Sequence, residues 1–201
     1  MFTGIVAAIG RVVEVKRQGD SARLRVDAGE LSLDQLKLGD SLCVHGVCLT
    51  VVEKLDREFA VDLSPETLAT TTLGALAPGS RVHLETALTL SSPLGGHLVT
   101  GHVDGVGSVV KRARQGETYL FLIRAPEIVQ RYISRKGSVC VDGVSLTVNA
   151  IEGAEFSVQI IPHTVQKTTF CDYTEGQWVN IEVDIVARYV ESLLLASKDV
   201  R

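Results

Sequence analysis

The chain has 201 residues, a formal net charge of −4 at pH 7, a sequence isoelectric point near 5.7 and 45% hydrophobic residues. This length allows one large domain or two of about 100 residues, with enough apolar side chains for a packed core. The acidic balance argues against nucleic-acid binding, which usually relies on a basic face. Apolar runs are short and interrupted by charges, so we expect no membrane-spanning segment.

The spacing of the cysteines and the first residues of the chain indicate whether a metal site and a secreted location are to be expected. Cys43, Cys48, Cys140 and Cys171 show no C-x-x-C spacing, so neither a metal site nor a redox dithiol is predicted. The first residues lack the basic, apolar and small-residue succession of a signal peptide. We therefore expect reduced thiols in a cytoplasmic protein.

The first half of the chain predicts short β-strands. VVEVKRQGDSARLRV alternates on both sides of a Gly-Asp turn, and SLCVHGVCLTVV predicts two strands joined at His45-Gly46. After the strand FAVDL, Ser64 is a predicted N-cap and Pro65 a predicted first helical residue. About six strands with one short helix favour a small closed barrel. A linker is predicted over residues 88–94.

The same pattern recurs 97 residues later. GVCLTV at residues 46–51 becomes GVSLTV at residues 143–148, Thr3-Gly4 becomes Thr100-Gly101, and Glu85 becomes Glu182. No insertion or deletion is needed from residue 3 to residue 85, which indicates a duplicated domain. We expect one barrel in residues 1–97 and a second in residues 98–184.

Residues 185–201 have no counterpart in the first copy. Their apolar residues recur at helical spacing, in the order Ile185, Val186, Tyr189, Val190, Leu193 and Leu194. This predicts a helix outside both barrels. The helix could fold back onto its own domain, although packing against copies of itself, and hence an oligomer, is favoured.

The two matching strands differ by a thiol and a hydroxyl. Because residues two apart share a face of a strand, Leu49 and its neighbours point to the core, while Cys48 and Thr50 point outward. Ser145 and Thr147 take the same places in the second copy. Two similar pockets with different chemical duties would have this pattern, and so would two solvated faces.

Three further residues stand out near the repeat starts. His97 and His102 lie in the glycine-rich stretch GGHLVTGHVDG, where backbone can approach a ligand closely. Each is either an ordinary surface histidine or a catalytic one. Phe2 could stack on a planar heterocycle or simply plug the barrel end.

Together, MFTGIV, GVCLTV, GGHLVTGHVDG, KGSVCVDGVSLTV and VNIEVD resemble the riboflavin synthase family of the trimeric, duplicated-barrel type, over essentially the whole chain. The resemblance implies an all-β fold of two tandem six-stranded Greek-key barrels with a C-terminal helix that holds a homotrimer. It also implies a cofactor-free dismutation: one 6,7-dimethyl-8-ribityllumazine gives a four-carbon unit to another, which yields riboflavin and 5-amino-6-ribitylaminouracil. Each active site would form between barrels of neighbouring subunits, and an association with lumazine synthase is left open.

Carried onto this chain, the family's binding segments fall into two groups. The first pocket would use Gly4, Ile5, Val6, Cys48, Leu49, Thr50, Asp62, Leu63, Ser64, Pro65, Glu66 and Thr67. The second would use Gly101, His102, Val103, Ser145, Leu146, Thr147, Gln159, Ile160, Ile161, Pro162, His163 and Thr164, with Lys136 reaching across the interface.

The resemblance also suggests catalytic roles. Cys48 is the candidate nucleophile, or the group that orients a water. His102 and Thr147 are candidate proton carriers, since an imidazole exchanges protons near neutral pH. Ser41, Ser145 and Asp184 would support them, and Phe2 would stack on the rings or exclude water.

Two other classes of protein are alternatives. A lumazine protein would bind one lumazine or flavin as a fluorophore without catalysis, but this chain retains both Cys48 and His102. A flavin reductase or oligonucleotide-binding module is disfavoured, because no G-x-G-x-x-G follows a strand and the charge is wrong for nucleic acid.

Overall fold

A computed structural model describes residues 1–198. The first half contains β1 (Ala8–Gln18), β2 (Ser21–Asp27), β3 (Ser41–Val44), β4 (Val47–Lys54), β5 (Glu58–Leu63), helix α1 (Pro65–Thr70) and β6 (Arg81–Thr86). The second half contains β7 (Gly105–Gln115), β8 (Thr118–Arg124), α2 (Glu127–Gln130), β9 (Ser138–Val141), β10 (Val144–Glu152), β11 (Glu155–Ile160), α3 (Pro162–Lys167) and β12 (Trp178–Val183). Helix α4 (Ile185–Lys198) follows the last strand, and short 3-10 turns lie at Thr72–Ala75 and Thr169–Asp172.

Each half closes into an antiparallel six-stranded barrel, which confirms the predicted fold class. The ring order is β1-β2-β5-β4-β3-β6 in the first barrel, and β7 to β12 repeat it in the second. The register shifts after Val12 and Val51 in the first barrel and after Val109 and Val148 in the second, always 97 residues apart. Such bulges bend a strand sharply, which helps so small a sheet to close on itself.

The predicted turns and caps are confirmed. His45 and Asp142 adopt positive φ angles of 52° and 47° before a glycine, as two-residue hairpin turns require. The Ser64 hydroxyl accepts a hydrogen bond from the Thr67 N–H at 3.1 Å and so caps α1.

The inward-facing residues of each barrel form a separate core. Leu24, Val26 and Val61 are fully buried in the first barrel, as are Phe121 and Ile123 in the second. Burial of a side chain of this size contributes about 1.5–3 kcal/mol. The duplicated alternation of apolar residues therefore produces two independent cores.

A buried polar cluster joins the two barrels, and His83 of β6 is one of its bridges. The Thr169 N–H donates to His83 Nε2 at 2.8 Å, so His83 Nδ1 carries the proton and donates to the Asp142 carbonyl at 2.7 Å. Burial, together with the neighbouring His45, lowers the pKa of His83 to about 3. His83 is therefore a neutral crosslink between barrels at ordinary pH.

Asn180 of β12 makes the matching bridge in the opposite direction. Its Oδ1 accepts from the Thr72 N–H at 2.7 Å, and its Nδ2 donates to the His45 carbonyl at 2.9 Å. His83 and Asn180 occupy equivalent positions of the repeat. The duplication thus supplies two equivalent hydrogen-bonded bridges across the junction, one made by an imidazole and one by an amide.

Helix α4 lies outside both barrels, as predicted, and one of its faces is apolar and exposed among the described residues. Tyr189, Leu193 and Leu194 are 65%, 72% and 60% exposed. Residues 199–201 of the expected helix lie outside the described residues. No helix within residues 1–198 is both long and apolar enough to cross a bilayer.

Candidate active site

The outward-facing polar residues of the first barrel form a row across three strands. Ser41 pairs with Thr50 across β3 and β4, and the Val51–Val61 pairing places Thr50 beside Asp62. Thr50 and Asp62 are exposed and Cys48 is half-buried, while the core side of β4 is buried. The predicted display of Cys48 and Thr50 away from the core is confirmed.

The second barrel presents the equivalent row. Thr147 pairs with Ser138 across β10 and β9, and Thr147 also lies beside Gln159. Ser145 is half-buried and Thr147 is exposed. Ser138 was not among the predicted site residues, although the 97-residue offset from Ser41 identifies it.

The glycine-rich loops in front of the barrels are exchanged. The Cys48 N–H of the first barrel donates to the Gly101 carbonyl at 2.8 Å, and the Ser145 N–H of the second barrel donates to the Gly4 carbonyl at 2.8 Å. The same exchange is seen two residues further along each loop, where Val103 packs against the core of the first barrel and Val6 against the core of the second barrel.

The predicted grouping placed each loop in a pocket with the barrel of its own repeat, whereas in the structure each loop also crosses the junction and adds to the opposite barrel. We call the surface around Cys48, Thr50 and residues 62–67, with residues 101–103, the first site. The second site is the surface around Ser145, Thr147 and residues 159–164, with residues 4–6.

Two buried glutamates fix the exchanged loops. Glu182 of β12 accepts hydrogen bonds from the Thr100 N–H at 2.7 Å, the Thr100 hydroxyl at 2.6 Å and the Gly101 N–H at 2.8 Å. Glu85 of β6 accepts the equivalent bonds from Thr3 and Gly4 at 2.6–2.9 Å. Each loop is thus tied to its own barrel through its N–H groups and to the other barrel through a carbonyl.

Burial raises the pKa of both glutamates, and the hydrogen bonds from the loops oppose this by favouring the charged form. Neither Glu85 nor Glu182 was predicted as a site residue. The available signal was a carboxylate repeated at the same place in two equivalent strands, RVHLET and WVNIEV.

Gly101 and Gly4 are required where the loops meet the opposite barrel. A Cβ on Gly101 would lie 2.6 Å from the Cβ and backbone N of Cys48, and one on Gly4 would lie 2.7 Å from the Cβ and backbone N of Ser145. Both glycines also have φ near +77°, a region that L side chains rarely adopt. Any side chain here would push the loop away from the strand.

Phe2 does not face either site. Its side chain has no exposed surface and packs with Cys43, Val99 and Cys140 between the barrels, while its backbone pairs with Val99. The ring cannot stack on a ligand in this position, so that prediction is wrong and the plugging alternative agrees with the packing. Phe2 instead anchors the segment that brings Gly4 to the second barrel.

Histidine 97 belongs to the second site, although it was not selected as a site residue. Its Nδ1 lies 2.7 Å from the Ser145 hydroxyl, and its Nε2 is buried without a partner in the described chain. Burial lowers the pKa of His97, and the nearby Asp184 opposes this shift. His97 and Ser145 are therefore in direct contact, while His102 is exposed beside the first site.

The remaining predicted residues differ in what their side chains can reach. Four have core-facing side chains, so that they offer only backbone groups: Leu49, Leu63, Leu146 and Ile160. Around the starts of α1 and α3, Thr67 and Thr164 are half-buried, and the others are exposed: Ser64, Pro65, Glu66, Ile161, Pro162 and His163. Lys136 is exposed with φ of 66°.

Two of the predicted residues are held by partners on β2 and β8. Arg23 binds the Asp62 carboxylate through two hydrogen bonds of 2.7 and 2.9 Å, and this contact lowers the pKa of Asp62. Gln159 donates to the Thr118 hydroxyl at 2.7 Å. The equivalent position therefore carries a charge in the first site and a neutral amide in the second.

Comparisons with known proteins agree with this duplicated architecture. A family model described as "Lumazine binding domain" matches residues 3–87 and 100–184, one match to each barrel. Among solved structures, LumP complexed with riboflavin has a TM-score of 0.85 and 24% identity, and the match covers 91% of this chain and 99% of that one. This likeness concerns the fold of the two barrels.

The sequence relatives narrow the class further. A riboflavin synthase of Photobacterium phosphoreum is 45% identical over 98% of this chain and 91% of its own length. One of Mycobacterium tuberculosis is 47% identical over 96% of this chain and 98% of its own length. The chain belongs to the riboflavin synthase family, a family of transferases, and the predicted family is confirmed.

Proposed function

We propose that the protein converts two molecules of 6,7-dimethyl-8-ribityllumazine into riboflavin and 5-amino-6-ribitylaminouracil, without a cofactor. One lumazine loses a four-carbon unit and the other gains it, so the atoms balance without an oxidant or reductant. Two identical substrates must then act in different roles. The duplicated barrels supply two related sites that differ at a few positions.

The exchange of loops is the observation that best supports this proposal. It brings the His102 loop to the barrel that carries Cys48, because the Gly101 carbonyl binds the Cys48 N–H at 2.8 Å. The second site has Ile5 in place of His102 and Ser145 in place of Cys48. In this proposal the thiol and the exposed imidazole act in the first site, whereas the second site presents the Ser145 hydroxyl, which is hydrogen-bonded to the buried His97.

The roles of the side chains follow from this asymmetry. Cys48, or a water that it orients, adds to the lumazine in the first site, and His102 carries protons there. Thr50 and Ser41, with Thr147 and Ser145 in the second site, bind and orient the ring edges through hydroxyl and backbone groups.

Charged and amide groups distinguish the two ribityl-binding regions. Asp62 and Glu66 bind ribityl hydroxyls in the first site, where Gln159 and His163 stand in the second. The charge of Asp184 favours the protonated form of His97 in the second site and so opposes the lowering of its pKa by burial.

The protein works as a homotrimer in this proposal. Both sites are open surfaces of a single chain, with Thr50, His102 and Thr147 exposed, and a reaction between two bound rings requires them to be covered. The apolar face of α4 is the contact that joins the subunits. Lys136, exposed at a left-handed backbone position, reaches the neighbour's ligand.

The direct test mixes purified protein with 6,7-dimethyl-8-ribityllumazine alone and follows riboflavin by absorbance and chromatography. Riboflavin and the uracil product should appear in equal amounts. A yellow, fluorescent protein that binds the lumazine but leaves it unchanged would contradict the proposal and support a non-catalytic binding protein.

The role of Cys48 is tested by Cys48→Ser, which makes the first site copy the second. We expect turnover to fall on the order of a hundredfold, with lumazine affinity nearly unchanged, since size and hydrogen bonding are kept. Unchanged turnover would remove Cys48 from the chemistry.

The trimer is tested by Leu193→Asp, which places a charge on the exposed apolar face of α4. Light scattering should show loss of the trimer together with loss of activity. Ser192→Asp, which puts the same charge beside that face, is the matched control. Full activity in a monomeric Leu193→Asp protein would show that one chain suffices. The cytoplasmic location and the association with lumazine synthase stay predictions.

A further inference from the structure

Helix α4 contacts the His102 loop directly through Arg188. Its guanidinium donates from Nη2 to the His102 carbonyl at 2.8 Å and to Asp104 Oδ2 at 2.8 Å. Asp104 Oδ2 also accepts from the Val183 N–H at 2.8 Å, so the same carboxylate ties the loop to the end of β12. The loop is thus held on both sides of His102, by Glu182 before it and by Arg188 and Asp104 after it.

The first repeat lacks this second attachment. Ala7 stands where the second repeat has Asp104, and the backbone contact at that position is otherwise the same: Ala7 N–H to Leu84 O and Asp104 N–H to Ile181 O, both 2.9 Å. The additional clamp therefore acts only on the loop that reaches the first site. The contacts of Arg188 and Asp104 are therefore specific to the second repeat and were not inherited by both copies.

The position of Arg188 on α4 connects this clamp to the helix surface. Arg188 and Glu191 are three residues apart, and both contact their own chain, Glu191 through an ion pair of 3.0 Å with Arg131. Tyr189 and Leu193 lie on the opposite side and are exposed. One side of the helix therefore holds the loop, while the other is available to a second copy.

We propose that Arg188 is a positioning residue for His102, and that it transmits the packing of α4 against neighbouring subunits to the first site. Arg188 also favours the charged form of Glu182, the anchor on the other side of the loop. The effect of Arg188 on turnover rests on the function proposed above. The effect of Arg188 on the mobility of the His102 loop can be measured without substrate.

The test compares Arg188→Gln with Arg131→Gln, which removes an ion pair between α4 and the second barrel but leaves the His102 loop untouched. Amide hydrogen exchange over residues 100–104 should become faster in Arg188→Gln, and kcat should fall on the order of tenfold with little change in KM. Arg188→Lys should recover part of kcat, because one ammonium can reach one of the two acceptors. Arg131→Gln should match the parent protein in both measurements.

Other outcomes overturn the proposal. If Arg131→Gln loses as much activity and as much trimer as Arg188→Gln, the effect belongs to helix docking in general. If amide hydrogen exchange over residues 100–104 is unchanged in Arg188→Gln, Arg188 does not hold the loop. Should that variant fail to fold, Asp104→Asn replaces it, since the amide oxygen still accepts from Val183 while the ion pair is lost. An inactive parent protein refutes the proposed function. The amide hydrogen exchange of residues 100–104 would still test the role of Arg188, because that measurement needs no substrate.

Discussion

Replacing His83 by asparagine should make the protein less sensitive to acid. His83 is 2% exposed, and its Nε2 accepts from the Thr169 N–H, so a proton on Nε2 would face a donor. The equivalent bridge in the second repeat is Asn180, which makes the same pair of contacts without an ionisable group. His83→Asn therefore keeps the bridge and removes its titration.

The size of the effect follows from the lowered pKa of about 3. The unfolded chain takes up a proton on this histidine below about pH 6.5, whereas the folded protein does not, so the stability present above pH 6.5 is lost as the pH falls. Between pH 7.5 and pH 4.5 this loss is about 3 kcal/mol, and any folded pKa well below 4.5 gives nearly the same value. His45, with a pKa lowered to about 4, adds a loss of the same sign.

The buried Asp142 acts in the opposite direction. Burial raises its pKa to about 6, so its contribution to stability is present at low pH and is lost as the pH rises through 6. Because Asp142 titrates in both the parent protein and His83→Asn, the difference between the two isolates His83, and the variant should reduce the pH slope of the free energy of unfolding below pH 6 by about 1.4 kcal/mol per pH unit.

The assay is chemical unfolding at several pH values from 4.5 to 7.5, at one fixed protein concentration because assembly adds to apparent stability. At pH 7.5 the variant should be less stable by about 1–2 kcal/mol, since it loses the ring contacts of His83 with His45 and Phe170. At pH 4.5 it should equal or exceed the parent protein. Parallel stability curves would show that His83 does not titrate differently in the folded and unfolded chains, and the reasoning would be wrong.

Two further predictions concern the exchanged loops. Gly101→Ala should reduce turnover by at least about tenfold, because the new Cβ would collide with Cys48. Gly116→Ala is the matched control, since Gly116 has a similar φ of +63° but nothing within 4 Å of the added Cβ. The control should lose only about 1 kcal/mol of stability. Equal turnover in the two variants would exclude the collision as a cause. Glu182→Gln should destabilise the protein by about 2–3 kcal/mol and lower kcat, because charged hydrogen bonds to Thr100 and Gly101 are lost. Glu85→Gln should be destabilising to a similar extent but should affect the second site, and a larger loss of Cys48-dependent chemistry in Glu85→Gln would contradict the loop exchange.

Local patterns in the sequence determined most of the fold. The alternation around Cys48 and Thr50 and the hairpin turns at His45 and Asp142 depend on neighbours close in the chain, and the 97-residue repeat presents these local patterns twice. Strand periodicity and turn chemistry are local effects, so they can be recognised without the tertiary structure. The helical spacing of residues 185–198 is of the same kind.

The assignment of residues to sites could not be obtained in this way. The bonds from Cys48 to Gly101 and from Ser145 to Gly4 join residues 53 and 141 positions apart on different barrels. A repeat in sequence favours pairing each loop with its own copy, and nothing local distinguishes that arrangement from the exchanged one. Only the packing of the barrels against each other decides it.

The sequence by itself determined two barrels, a terminal helix and the outward strand positions that carry thiol and hydroxyl groups. The tertiary structure decided that the loop carrying His102 lies against the strand carrying Cys48, that Phe2 is buried between the barrels and that Arg188 reaches this loop from the helix. The physical reason is that periodicity specifies which face of a strand is buried, whereas hydrogen bonds across a domain junction depend on how two completed cores fit together.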